Sequence, residues 1–242
     1  MASSAAAHAA LACANPLDVE AWQRLIARAA RDLPRGGRGV DIGCGPGSLS
    51  RALATLRPDL DILGVDRDPD FIARAGCAGL PPGLRLLCGD APSAAAAETR
   101  QAALDLLLCV GASQAFGTPA EALAACHALL KPGAHLLWAD IEWAAEPPPD
   151  FLDFLGCPRA LYWPCADADA TLRRAGFEPL ARESASAAAW QAYEDSVRAG
   201  RLAHAEATGD ADLRLQAQAW HAAFEDQGRH CFAFVAHWLR RT

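Results

Sequence analysis

Val40-Asp41-Ile42-Gly43-Cys44-Gly45-Pro46-Gly47 is the stretch on which the reading of this chain turns. Gly39-Val40-Asp41-Ile42 reads as a short buried strand. The glycines that end it permit a tight turn and let a ligand approach the backbone with no Cβ between them. A helix from Ser48 to Leu56 follows, and its first free N–H groups lie at the same turn. A dinucleotide fingerprint needs its third glycine at position 48, but Ser48 stands there and the third glycine is Gly47. Asp41 precedes the first glycine by two residues. A carboxylate at that place disfavours a pyrophosphate and favours a ligand that carries positive charge.

Outward from this loop the chain alternates. Largely apolar strands are predicted at 61–65, 84–88, 104–110 and 134–141, with helices at about 93–103 and 119–130. Asp68 and Pro69 supply the cap and first position of the helix after the second strand. An amphipathic helix over 17–33 precedes the glycine loop. After the Pro147-Pro148-Pro149 break come a helix at 166–175, a strand at 177–182, an Ala-rich helical stretch over 187–228 and a last strand at 231–238. Buried strands alternating with helices imply an α/β, doubly wound, seven-stranded and mostly parallel sheet, covered on both faces. The expected organisation is one domain over 1–242, with a helical cap at 1–36 and a helical insert or lid at 187–229. Ligands of such sheets bind at the carboxyl ends of the strands, beside the point where strand order reverses.

With these features in place, residues 40 to about 141 resemble a class I S-adenosylmethionine-dependent methyltransferase, whose motif is Asp/Glu-x-Gly-x-Gly-x-Gly. The resemblance implies S-adenosyl-L-methionine as cofactor, held by Asp41, Gly43, Cys44, Gly45 and Gly47. It implies that Asp66, at the end of the second strand, receives the ribose hydroxyls, with Arg67 beside the adenine where the family often has an apolar residue. Asp90 and Ala91, past the third strand, are then placed at the adenine amino group. Cys109 and Gly111, at the end of the fourth strand, would line the space between sulfonium and acceptor. A weaker similarity to a branch of uncharacterised bacterial methyltransferases rests on Asn15-Pro16, Cys109-Val110-Gly111-Ala112, Lys131-Pro132-Gly133 and Trp190-x-x-Tyr193-Glu194.

Methyl transfer needs positioning above all, and needs a base only if the acceptor arrives protonated. Tyr193 and Gln114 are the candidate catalytic residues. Asn15, Ser113, Glu142, Trp143 and Trp190 are the candidate acceptor-binding residues, with Asp140, Glu194, Trp220 and His221 nearby in the same segments. His8 falls in a tail read as mobile and is taken as a spectator. The loop after the fourth strand lacks Asn/Asp-Pro-Pro-aromatic, and the Pro164-Cys165 pair follows the fifth strand, so neither amino-methylation of nucleobases nor cytosine-5 chemistry is indicated. No spaced ligand cluster suggests a metal. Alternatives kept open are cyclisation or cleavage of the cofactor with release of methylthioadenosine, a non-catalytic binding module and a nicotinamide-dependent dehydrogenase.

Composition narrows the partners. The chain has 242 residues, 52% hydrophobic and 21% charged, with a net charge of −7. That charge opposes nucleic acid, and no basic run offsets it. Nine cysteines, none paired at metal or redox spacing, suggest reduced thiols and a cytoplasmic location. No stretch is long and apolar enough to predict a membrane span. A small-molecule substrate and a monomer or homodimer are expected.

Overall fold

The computed structural model describes residues 4–11, 13–77, 79–100 and 103–242. One sheet organises them, with strand order β3-β2-β1-β4-β5-β7-β6. The strands are β1 (Arg38–Ile42), β2 (Asp61–Asp66), β3 (Leu84–Cys88), β4 (Leu104–Val110), β5 (Leu130–Trp143), β6 (Phe177–Ser184) and β7 (Phe232–Arg241). β7 alone runs antiparallel to its neighbours, inserted between β5 and β6. The doubly wound, mostly parallel sheet expected from the apolar runs is therefore present. β4 explains why those runs lack polar alternation. Leu106 and Leu108 face one core cluster and Leu107 and Cys109 face the other, so both sides of the strand are buried.

The helices before the insert are α1 (Ser4–Ala7), α2 (Val19–Asp32), α3 (Ser48–Leu56), α4 (Pro69–Cys77), α5 (Ala91–Thr99), α6 (Pro119–Leu129), α7 (Pro149–Leu155) and α8 (Ala168–Arg174). α2 buries Ala21, Trp22, Leu25, Ile26 and Ala29 as one stripe against the sheet. α5 starts two residues before the expected Ser93, because Asp90 caps it and Pro92 is accommodated in its first turn. The helical insert is made of two helices, α9 (Ala187–Thr208) and α10 (Ala211–Ala223). Gly209 takes φ +70° and Asp210 caps α10, which folds the pair back on itself. A π-helical turn at 224–228 and the short α11 (Arg229–Cys231) lead into β7.

The N-terminus corrects an expectation. α1 is too short to persist alone, yet Ala5 and Ala7 are buried. The Ala5 N–H donates to Asp68 Oδ2 at 3.0 Å, and Arg74 donates to the carbonyls of Ala5 and Ala9. Gly200 on α9 makes the close approach possible, since a Cβ there would lie 2.5 Å from the Ala7 carbonyl oxygen.

Candidate active site

The strand order reverses between β1 and β4, and a crevice of about 1150 Å³ opens at their carboxyl ends. Gly43, after β1, and Gly111, after β4, form facing walls. Gly43 has φ +64°, and a Cβ there would stand 2.7 Å from the Ala112 Cβ. Gly45 and Gly47 also take positive φ, and Gly47 caps α3. The backbone thus forms a cradle that side chains would fill.

Three carboxylates border this cradle. Asp41 is buried, and its Oδ2 accepts from the Ser50 hydroxyl. Burial pushes its carboxyl up to about 7 against that bond, and the Asp66 charge adds to the rise. Asp66 Oδ2 accepts from Gly45 N–H at 2.8 Å and Oδ1 from Asp68 N–H at 2.9 Å. It therefore ties β2 to the glycine loop while keeping further lone pairs for a ligand. Asp90 Oδ2 accepts from Ser93 N–H at 3.0 Å as the cap of α5. The Ser93 bonds hold it below the usual carboxylate range, with the Arg67 charge helping. Arg67 and Ala91 line the same crevice. A buried carboxylate with one hydroxyl partner, beside a glycine-rich loop, suits a nucleoside carrying positive charge.

A second chamber of about 250 Å³ adjoins the crevice, and the two share His8, Asn15, Gly111, Gln114 and Tyr193. Asn15 is fixed as a wall. Its Oδ1 accepts from Trp22 Nε1 at 2.8 Å and from Leu17 N–H at 3.1 Å. Gln114 donates to the Gly111 carbonyl at 3.2 Å. His8 Nδ1 lies 2.7 Å from the Ser4 carbonyl, which only accepts, so Nδ1 carries the proton. Burial lowers the His8 pKa and keeps the ring neutral, leaving Nε2 to accept from the Tyr193 hydroxyl at 2.9 Å. Burial raises the Tyr193 phenol, so this hydroxyl is a donor and not a phenolate base. His8, read as a spectator, thus stands at the junction of the two cavities.

Four expected site residues lie elsewhere. Glu142 is buried away from the crevice, its oxygens taken by His237 Nε2 at 2.7 Å, Trp163 Nε1 at 3.1 Å and Arg182 Nη2 at 3.1 Å. Trp143 is core, stacked on Phe232 with ring centroids 5.3 Å apart, its Nε1 donating to the Arg159 carbonyl. Cys109 is buried against Cys126 behind β4 and lines neither cavity. Ser113 is buried too, beside the Asp140 carboxyl and outside both cavities. The sequence places these four close to strand ends, but only the register decides whether a side chain reaches the opening. Trp190 lines the chamber and also packs on Phe224, so it belongs to core and site together. Tyr162, Phe232, Phe234 and Arg201 line the chamber as well, without any motif to mark them. Among the described residues, no helix is long and apolar enough to cross a membrane, and no cluster of potential metal ligands occurs.

Comparison with known proteins agrees with this geometry. Residues 40–136 match the methyltransferase-domain family. The ubiquinone biosynthesis O-methyltransferase of Methylococcus capsulatus is 29% identical over 128 residues, 53% of this chain and 51% of that protein. The chain spans about half the length of the curated relatives it matches. A SAM-dependent methyltransferase from Geobacter sulfurreducens, solved with S-adenosyl-L-homocysteine, superposes with a TM-score of 0.84 at 21% identity, covering 98% of this chain and 97% of that one. A SAM-dependent methyltransferase from Thiobacillus denitrificans, solved with the same compound, gives 0.81 at 21% identity, with 98% and 97% covered. At such identities the likeness is one of fold. With the strand order and the glycine loop, the match identifies residues 40–136 as a methyltransferase domain of the class I S-adenosylmethionine-dependent kind.

Proposed function

We propose that this chain binds S-adenosyl-L-methionine in the crevice and transfers its methyl group to a nitrogen, oxygen or carboxylate of a small molecule held in the chamber. The observation that carries this reading is the union of the two cavities at Asn15, Gly111, Gln114 and Tyr193. The glycine loop gives the cofactor room, Asp66 suits the ribose hydroxyls, Asp90 the adenine edge and Asp41 the cationic end. The cofactor's sulfonium supplies an activated methyl carbon, and S-adenosylhomocysteine is the product. The chain's own work is to hold the acceptor in line beside the junction, where effective molarities reach on the order of 10⁵ M or more. Gln114 orients the acceptor at that junction. Tyr193, its hydroxyl proton held by His8 Nε2, lines the junction beside the acceptor.

Two measurements test the reading. Calorimetry with S-adenosylhomocysteine should show binding that Asp66→Ala weakens by more than about 1 kcal/mol; no binding at millimolar ligand refutes it. Incubation with S-adenosylmethionine and no acceptor should leave the cofactor intact. Release of methylthioadenosine under those conditions would assign the pocket to cleavage or cyclisation instead.

A further inference from the structure

The wall of the chamber contains two polar atoms that the protein leaves unsatisfied. Asp140, near the carboxyl end of β5, is buried. Its Oδ1 accepts from Ile141 N–H at 2.8 Å, while Oδ2 has no hydrogen-bond partner among the described residues. Trp190 of α9 lines the same chamber, its ring stacked on Phe224 and Phe232 at centroid distances of 6.2 and 6.3 Å. Its Nε1 donor is buried and likewise unpartnered. A buried polar group without a partner is costly, and native interiors rarely tolerate one, so a pair of them in one cavity calls for a ligand that satisfies both.

The two atoms are chemically opposite. An ionised carboxylate oxygen only accepts, and an indole N–H only donates. The matching ligand must donate one hydrogen bond and accept another. A hydroxyl does both, whereas a protonated amine can only donate. The remaining acid of the chamber, Glu194, has Oε2 taken by Trp220 Nε1 at 2.8 Å and its charge opposed by Arg201 of the same chamber. Tyr162, Trp220, Phe232 and Phe234 supply flat apolar walls, and a volume of about 250 Å³ admits one small ring system.

We infer that the chamber selects a small hydroxylated aromatic acceptor, whose hydroxyl donates to Asp140 Oδ2 and whose oxygen accepts from Trp190 Nε1. Asp140 and Trp190 are then the residues that determine acceptor specificity. This rests on the crevice reading above, because the ring must lie against the cofactor's methyl to react. Burial raises the Asp140 carboxyl to about 6, so it is mostly ionised at neutral pH and able to accept.

The test uses the full chain saturated with S-adenosylhomocysteine and titrates it with phenol, anisole, toluene and benzylamine. Phenol should bind about tenfold or more tightly than toluene, the effect expected of a hydrogen bond to a charged partner. Asp140→Leu should abolish that preference with the affinity for S-adenosylhomocysteine unchanged. Trp190→Phe should erase the smaller advantage of anisole over toluene, and it carries the test by itself if Asp140→Leu does not fold. The inference is overturned if wild-type protein shows no preference for phenol, whether all four compounds bind or none does. It is equally overturned if Asp140→Leu keeps the preference, or if benzylamine binds more tightly than phenol. Failure of S-adenosylhomocysteine to bind in the first titration would instead strike the crevice reading.

Discussion

Replacing Asp41 by asparagine separates a binding carboxylate from the stability it costs. The side chain is buried at the end of β1 with the Ser50 hydroxyl as its partner, and burial lifts its carboxyl from 3.8 to about 7. A carboxyl raised in the folded state favours folding in its protonated form. Stability of the ligand-free protein is therefore full below about pH 4 and falls as pH rises through 7. The rise corresponds to about 4 kcal/mol, which for a chain of this size is roughly 10 °C in melting temperature. Asp41→Asn keeps an oxygen for Ser50 and carries no charge, so it should melt higher than wild type at pH 8, with the gap closing toward pH 5. Binding should show the reverse. A cationic ligand needs the ionised carboxylate, so wild-type affinity for S-adenosylhomocysteine should fall roughly thirty-fold between pH 8 and pH 5.5 from this group alone. The variant should bind weakly and lack that slope. Thermal melts and calorimetric titrations across the same buffers read both effects. An asparagine variant that melts lower than wild type at pH 8, or that retains its affinity and its pH slope, would refute the reasoning.

Other expectations follow from single contacts. Gly43→Ala should lose about 1–2 kcal/mol in urea unfolding from the left-handed backbone alone, with the Ala112 contact adding to it and cofactor affinity falling; an unchanged midpoint would contradict the cradle. His8 should titrate below 6.5 by proton NMR because burial disfavours its charged form, so docking of α1 weakens as pH falls through that lowered value. Gly200→Val, which crowds the Ala7 carbonyl, should return His8 toward 6.5 and expose the N-terminal segment to protease; an unmoved His8 signal would argue against the docking. Glu142→Ala leaves His237 and Arg182 without their buried carboxylate and should cost about 3–5 kcal/mol in denaturant unfolding, with the folded protein binding S-adenosylhomocysteine as wild type does. Loss of binding by folded Glu142→Ala would return that residue to the site.

The crevice could be read from the chain because its determinants are local. Gly43, Gly45 and Gly47 need only their own backbone angles, and Asp66 and Asp90 need only to end strands that their apolar runs announce. The central strands and their alternation with helices were legible because burial of β1, β2, β4 and β5 on both faces leaves a nearly continuous hydrophobic signature, whereas the edge strands β3 and β6 are partly exposed. Single-residue periodicity could not tell whether a side chain just past a strand faces the opening. Glu142, two residues beyond Asp140, projects from the same face of β5 but meets Trp163 and His237 of β7, a residue that the register sets opposite Trp138 and that only the side chains bring to Glu142.

The chamber was decided by tertiary contacts. Asp140 and Trp190 are 50 positions apart in the chain, and only the folding of α9 over the end of β5 brings them to one cavity. His8 reaches Tyr193 across 185 positions because Gly200 lets α1 lie against α9. A four-residue helix has no stability of its own to leave a mark in composition or periodicity. Local backbone chemistry is written in neighbouring residues, whereas a cavity wall is assembled from side chains that become neighbours only after the chain has closed.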